Sequence, residues 1–220
     1  MPRFKSIIEN EKYSVGCTGQ TVWVWDKNDT VLAKFKDLIY ANKAVFSPTR
    51  DTFVVKSIEG RLAVYSLETM SLVKKFRFSK VSYSQDDGFC FSPDGRYFLN
   101  VERHGDDLHS AISVYDASDF SLFSRLTVDE SMMIEHIQEV LGEYYVLGFL
   151  RGDDGVITCG FVAKYRNGEI CDVMKISDAE REFYWEHLYQ TMFGYRLDDG
   201  QKVKKVHTLA DLWTYYSQKQ

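Results

Sequence analysis

The sequence predicts an all-β fold built from four-stranded antiparallel units repeated around an axis. Three observations carry that prediction: a hairpin that recurs with an aromatic head, a second hairpin upstream of each copy, and a repeat period of about fifty residues. The copies run from Tyr65 to Phe76, Tyr115 to Leu126, Tyr165 to Ile176 and Tyr195 to Val206, each with an apolar residue eleven positions after its head. Trp25 opens the series, with Phe35 one position early, and the heads Tyr65, Tyr115 and Tyr165 stand fifty residues apart. Units repeated at such a period cannot bury both faces of their own sheets and must stack on neighbours.

The upstream hairpins follow from turn chemistry. In the third unit Cys90-Phe91-Ser92-Pro93-Asp94-Gly95-Arg96-Tyr97-Phe98 runs an apolar strand into Pro-Asp-Gly and out again. Proline presets φ at the second turn position and glycine accepts a positive φ later. The second unit has Val45-Phe46-Ser47-Pro48, the first Ile7 to Tyr13, and the fourth Glu139 to Tyr145. Two hairpins per unit make one four-stranded blade, so the fold class is a small or incomplete β-propeller of about four to five blades.

The fifth unit is defective. Leu126 and Tyr165 are 39 residues apart, whereas Ile176 and Tyr195 are only 19 apart, so about two strands of ordinary length are missing. The replacement, 178–189, has an acidic first turn and reads as a short helix. A second helix is expected over 208–218, where Thr208 and Asp211 form a capping signature and Leu209, Leu212, Trp213 and Tyr216 share one face. The division is thus a propeller over 1–207 and an amphipathic helix over 208–220. That helix reads first as a lid on the propeller's own edge.

At Phe46-Ser47-Pro48, Phe91-Ser92-Pro93-Asp94-Gly95, Trp23-Val24-Trp25-Asp26 and Ser113-Val114-Tyr115-Asp116 the chain resembles the WD-repeat β-propeller family, in the degenerate form found in bacteria. The resemblance spans about residues 1 to 176. Trp25-Asp26 is the literal dipeptide and Tyr115-Asp116 a close variant, while Tyr65-Ser66 and Tyr165-Arg166 lack the acid. The family's Gly-His pair is absent, and His104-Gly105 is reversed and in a different loop. The buried His-Ser-Asp network of many such blades is therefore not expected, and the blades should rest on apolar packing. The resemblance implies a platform for protein partners.

Composition fits one soluble domain. The chain has 220 residues, 45% of them hydrophobic and 15% aromatic, and a net charge of −5. Nothing in it forms the concentrated basic stripe that nucleic acid requires. Lys74, Lys75, Lys202, Lys204 and Lys205 read as protection of outer strands against strand addition. No apolar run of signal-peptide or membrane-span length occurs, so a cytoplasmic location without membrane partners is expected. The Asn167-Gly168 turn sets a register that places Cys171 opposite Lys164 and Cys159 opposite Ile176. Cys17, Cys90, Cys159 and Cys171 all read as buried free thiols in a reducing compartment.

One loop invites a chemical reading. Glu102 to Ser110 joins two strands of the third unit and carries His104, Asp106, Asp107 and His109. Two imidazoles and two carboxylates could ligate a divalent cation, but their spacing matches no standard site, and Gly-Asp-Asp turn chemistry accounts for them. No metal or cofactor is expected. Arg151-Gly152-Asp153-Asp154-Gly155 occupies the corresponding loop of the fourth unit. These long polar loops, with Tyr83 and Asp86 from the loop entering the third unit, define the expected partner-binding face: Tyr83, Asp86, His104, Asp106, Asp107, His109, Arg151, Asp153 and Asp154. The favoured function is a non-enzymatic protein-interaction platform. The alternatives are a metal-dependent, lactonase-like hydrolase working at the channel mouth, and an inhibitor or immunity-type protein. A self-capped monomer is expected over a homodimer joined by open edges or the terminal helix.

Overall fold

The structure, a computed structural model, describes residues 4–77, 88–104, 109–182 and 208–219. Among these residues sixteen strands form four sheets of four antiparallel strands, each a meander in chain order. The first sheet holds β1 Ser6–Glu9, β2 Tyr13–Cys17, β3 Val22–Asp26 and β4 Val31–Phe35, and the second β5 Ala41–Phe46, β6 Thr52–Ser57, β7 Arg61–Ser66 and β8 Ser71–Arg77. The third holds β9 Phe89–Phe91, β10 Tyr97–His104, β11 His109–Asp116 and β12 Leu122–Thr127, and the fourth β13 Met132–Val140, β14 Glu143–Arg151, β15 Ile157–Arg166 and β16 Glu169–Ile176. This is the all-β, blade-like arrangement the repeat predicts. The hairpin Tyr195 to Val206, Lys202, Lys204, Lys205 and residues 183–189 of the expected first helix lie outside the described residues.

The sheets fall into two compact units, the first and second sheets in one, the third and fourth in the other. In the first unit, Val15, Val22, Val24 and Phe35 pack against Phe53, Val55, Ala63 and Tyr65. Tyr65 stacks on Phe35 with ring centroids 4.4 Å apart. In the second, Leu99, Val101, Ile112 and Val114 meet Ile134, Ile137, Val146, Phe161, Ala163 and Tyr165. Each such side chain withdrawn from water contributes about 1.5 to 3 kcal/mol. The aromatic heads Tyr65 and Tyr165 therefore belong to the core.

Local chemistry sets the turns. Asp26 Oδ1 accepts the amides of Asn28 and Thr30 at 2.9 and 2.8 Å, and Asp116 Oδ1 accepts that of Ser118 at 2.8 Å. The acid after the aromatic head thus caps the turn that follows it, and Ser66 Oγ does the same for Thr69 at 3.1 Å. Asn167 and Gly168 both take positive φ, 52° and 84°, as a type I′ hairpin demands.

The fourth strand of each sheet carries a bulge, and in the first three sheets it falls at the same place, beside the aromatic head. In the first sheet Val24 pairs with Ala33 and Trp25 with Val31, leaving Leu32 as the extra residue. Val73 and Phe123 hold that position in the second and third sheets. All three are exposed, at 40, 60 and 65%. A bulge twists the edge and makes it a poor template for strand addition. In the fourth sheet the bulge falls at Asp172-Val173 and shifts the register, so that Lys164 faces Cys171 as expected but Ile176 faces Gly160 rather than Cys159. The cysteines differ from expectation as well. All four are free, but only Cys17 is fully buried, and burial pushes its thiol up to about 12; the other three are half-buried.

Two helical segments lie on the fourth sheet, on the side away from the third. Residues 178–182 start at a capping box, in which Ser177 Oγ accepts the Glu180 amide at 3.2 Å and the Glu180 carboxylate accepts the Ser177 amide at 3.3 Å. Arg181 is buried there. Its Nη1 donates to both Glu135 oxygens at 2.7 and 2.8 Å, and its Nε to Asp178 at 2.7 Å. Gly160 makes room for it, since a Cβ there would stand 2.6 Å from Arg181 Cβ. The helix Leu209–Ser217 begins at the expected capping box, Thr208 with Asp211. Leu209 and Leu212 are fully buried, and Trp213 Nε1 donates to the bulge carbonyl of Asp172 at 2.9 Å. The helix is a lid on its own sheet.

Lys164 links lid and sheet. Its Nζ lies 4.2 Å from the Trp213 ring and 2.9 Å from Glu143 Oε2. Bonds from Lys164, Tyr145 and Arg166, in that order, hold the Glu143 carboxyl at about 2, below its ordinary 4.5. A lowered carboxyl stabilises the fold above its unfolded value and loses that contribution as pH falls through the folded one. Denaturation midpoints should therefore drop between pH 4.5 and about 2, and Glu143→Gln should flatten that part of the profile. An unchanged profile in the variant would assign the acid sensitivity to other carboxyls.

Candidate functional site

At one end of the second unit a half-open groove of about 610 Å³ is lined by three connections. The end of β10 and start of β11 supply Arg103, His109 and Ser110, the β12–β13 link supplies Asp129, Glu130 and Ser131, and the β14–β15 turn supplies Arg151, Gly152, Asp153 and Gly155, with Met133 beside them. Sheet register explains the convergence, because in a meander the second-to-third connection and the exit of the fourth strand emerge at the same end. Backbone bonds fix it. Arg151 N–H donates to Ser131 C=O at 2.7 Å, and Ser110 Oγ accepts the Ile134 amide at 3.0 Å.

Each turn is built by its own polar residues. Asp129 Oδ1 accepts the Ser131 amide at 2.9 Å. That bond, with a second from the Ser131 side chain and the nearby charge of His109, holds the Asp129 carboxyl below the usual carboxylate range. Asp154 Oδ1 accepts the Val156 amide at 3.0 Å, and Gly155, at φ 76°, closes the turn back to Gly152. Asp154 is thus a turn-forming residue, while its neighbour Asp153 lines the groove. The Arg103 guanidinium reaches the Met133 sulfur at 2.8 Å, and that of Arg151 lies 5.2 Å from the Phe149 ring.

Of the residues singled out in the sequence, the structure brings His109, Arg151 and Asp153 to one groove, with Asp154 in the same turn. His104 pairs with His109 through the backbone at the end of the hairpin. Tyr83, Asp86, Asp106 and Asp107, and the side chain of His104, lie outside the described residues. The expected loop from Glu102 to Ser110 is shorter than its sequence implies, because the strands continue to His104 and resume at His109. Glu102, Arg103 and Ser110 are strand residues. Arg103, Asp129, Glu130, Ser131 and Met133 were missed; only the Asp129-x-Ser131 spacing carries a local signal.

Glu102 adds to the expectation that the sheets rest on apolar packing a polar network of a different kind from the His-Ser-Asp one. It is 3% exposed and accepts Ser113 Oγ at 2.5 Å, Arg125 Nη2 at 2.8 Å, Asn100 Nδ2 at 3.1 Å and the Tyr115 hydroxyl at 3.2 Å. A hydrogen-bonded acid-arginine pair therefore sits inside the third sheet. Among the described residues no group of three His, Cys, Asp or Glu side chains is placed to hold a metal. No helix among them is long and apolar enough to cross a membrane. Neither a protein-family model nor a curated protein matches the chain.

Proposed function

We propose that the protein is a WD-like, non-enzymatic interaction platform of the cytoplasm, working as a monomer and gripping a protein partner through the groove of the second unit. The observation that carries this reading is the make-up of the groove. Arg103 and Arg151 stand against Asp129, Glu130 and Asp153 on turns that hold their own shape through backbone bonds. Both charge signs on a preformed, polar, rigidly supported surface suit recognition of another protein's charged side chains, and set on-rate and specificity more than raw affinity. The Ser110 hydroxyl is engaged with the Ile134 backbone, so it is not poised beside His109 as a nucleophile.

The test is charge reversal of groove residues that do not build the turns. A partner captured by the wild-type protein should lose affinity about 100-fold on Arg151→Glu with Asp153→Lys, in line with losses at central charged contacts. Lys34→Glu with Lys36→Glu, on the first unit, should leave binding intact. Equal binding by all three proteins, measured by surface plasmon resonance, would remove the groove from the interface.

A further inference from the structure

The third sheet displays what a Ser-Pro turn requires. Ser92 Oγ donates to the Asp94 carboxylate at 2.6 Å and accepts the Tyr97 amide at 2.9 Å. The second sheet has the same turn, with Ser47 N–H bonded to Thr52 C=O at 2.9 Å as Ser92 N–H is to Tyr97 C=O. Its chemistry differs. Thr49 stands where the acid should be, and the Thr52 amide turns to Arg50 C=O at 2.7 Å. Ser47 Oγ is left without a hydrogen-bond partner in a residue only 9% exposed. A buried hydroxyl in that state costs about 1 to 3 kcal/mol and asks for an explanation.

Ser47 lines a groove of about 460 Å³ between this turn and the β1–β2 turn of the first sheet, with Lys12 and Arg50 on its walls. The volume is that of a small binding site. We propose that this groove receives a carboxylate, the group that the third sheet supplies to itself as Asp94. Ser47 Oγ donates to one carboxylate oxygen, while Lys12 and Arg50 balance the charge. Glu11 and Asp51 share the lining and offset those two cations, so the groove selects a single carboxylate rather than a polyanion. Its source is an Asp or Glu side chain on an extended segment of a protein partner, since the groove is an open surface feature between two hairpin turns.

Amide chemical-shift titration tests this with the peptide acetyl-Gly-Asp-Gly-amide and its Asn counterpart. The Asp peptide should give saturable shifts at Lys12 and at Ser47, Thr49, Arg50 and Asp51, and the Asn peptide none. Ser47→Ala should weaken binding about tenfold. Thr49→Asp rebuilds the Ser-Pro-Asp turn from within; it should abolish binding and raise the thermal midpoint. Equal shifts from both peptides, absence of saturation, or unchanged affinity in both variants would overturn the proposal. Saturation by free succinate at the peptide's affinity would overturn the assignment to a partner segment.

Discussion

Replacing Glu102 by Ala should lower the stability of the protein by about 3 kcal/mol, the cost of breaking a buried ion pair on one side. The variant strips Arg125 and Ser113 of their shared acceptor in a place where Ser113 is fully buried and the Glu102 side chain is 5% exposed. Arg125 retains 21% side-chain exposure and can recover some hydration, which keeps the figure at the lower end. The second sheet supplies the control. Aligned on their heads Tyr65 and Tyr115, the two sheets place Val55, Ser57, Ala63 and Lys75 where the third has Asn100, Glu102, Ser113 and Arg125. Transplanting those four residues removes the acid with its buried polar partners and puts at 125 a lysine, which is exposed at the matching position of the second sheet and carries its charge to water on a flexible stem, so it should cost less than the single change. Urea unfolding of the two variants decides it. A Glu102→Ala cost within about 0.5 kcal/mol, the range of an ordinary surface change, would show that the network adds nothing to packing.

Those four positions also show where a sequence stops being legible. The aromatic heads Trp25, Tyr65, Tyr115 and Tyr165, the Asn167-Gly168 hairpin, the Pro93-Asp94-Gly95 turn and the Thr208 capping box are written in residues a few places apart, and the structure has each of these. Glu102 and Arg125 are 23 residues apart and meet only through strand register. Gly105-Asp106-Asp107 made the loop seem to begin at Glu102, which hid a strand residue inside it. The bulges are silent for a different reason: Leu32, Val73 and Phe123 each follow another apolar residue, and nothing in the pair marks which of the two is extra, yet the same device in the fourth sheet moved Cys159 away from Ile176. At the groove, the polar turn residues were visible and the convergence was not. Asp129 and Ser131 join Arg151 and Asp153 because Arg151 bonds the Ser131 carbonyl, a contact that no local spacing encodes.

Gly148→Ala should cost about 3 kcal/mol, the upper end of what overpacking a core produces. Gly148 lies mid-strand in β14, opposite Ile134 on one side and Phe161 on the other. A Cβ there would stand 2.0 Å from the Met133 carbonyl oxygen and 2.8 Å from the Phe161 ring. The ring could yield, but the carbonyl cannot. Met133 is paired with Phe149, the register of β13 shifts just beyond Ile134, and the Ile134 backbone is bonded at both N–H and C=O to Ser110 Oγ. Relief therefore means moving β13 off β14 or off the third sheet. Phe161→Leu in the same chain should recover only a small part of the loss, since it frees the ring contact and leaves the carbonyl clash. Gly142→Ala is the comparison: nothing lies within 4 Å of its Cβ, so only its φ of 86° opposes the change, at about 1 kcal/mol. The consequence reaches the groove, because Met133 and Ser131 stand at the start of the displaced strand. Gly148→Ala protein that remains folded should bind a captured partner more weakly than Gly142→Ala protein does. Equal stability of the two alanine variants in urea would show that β13 yields freely, and that the groove is not held by the register of β13 on β14.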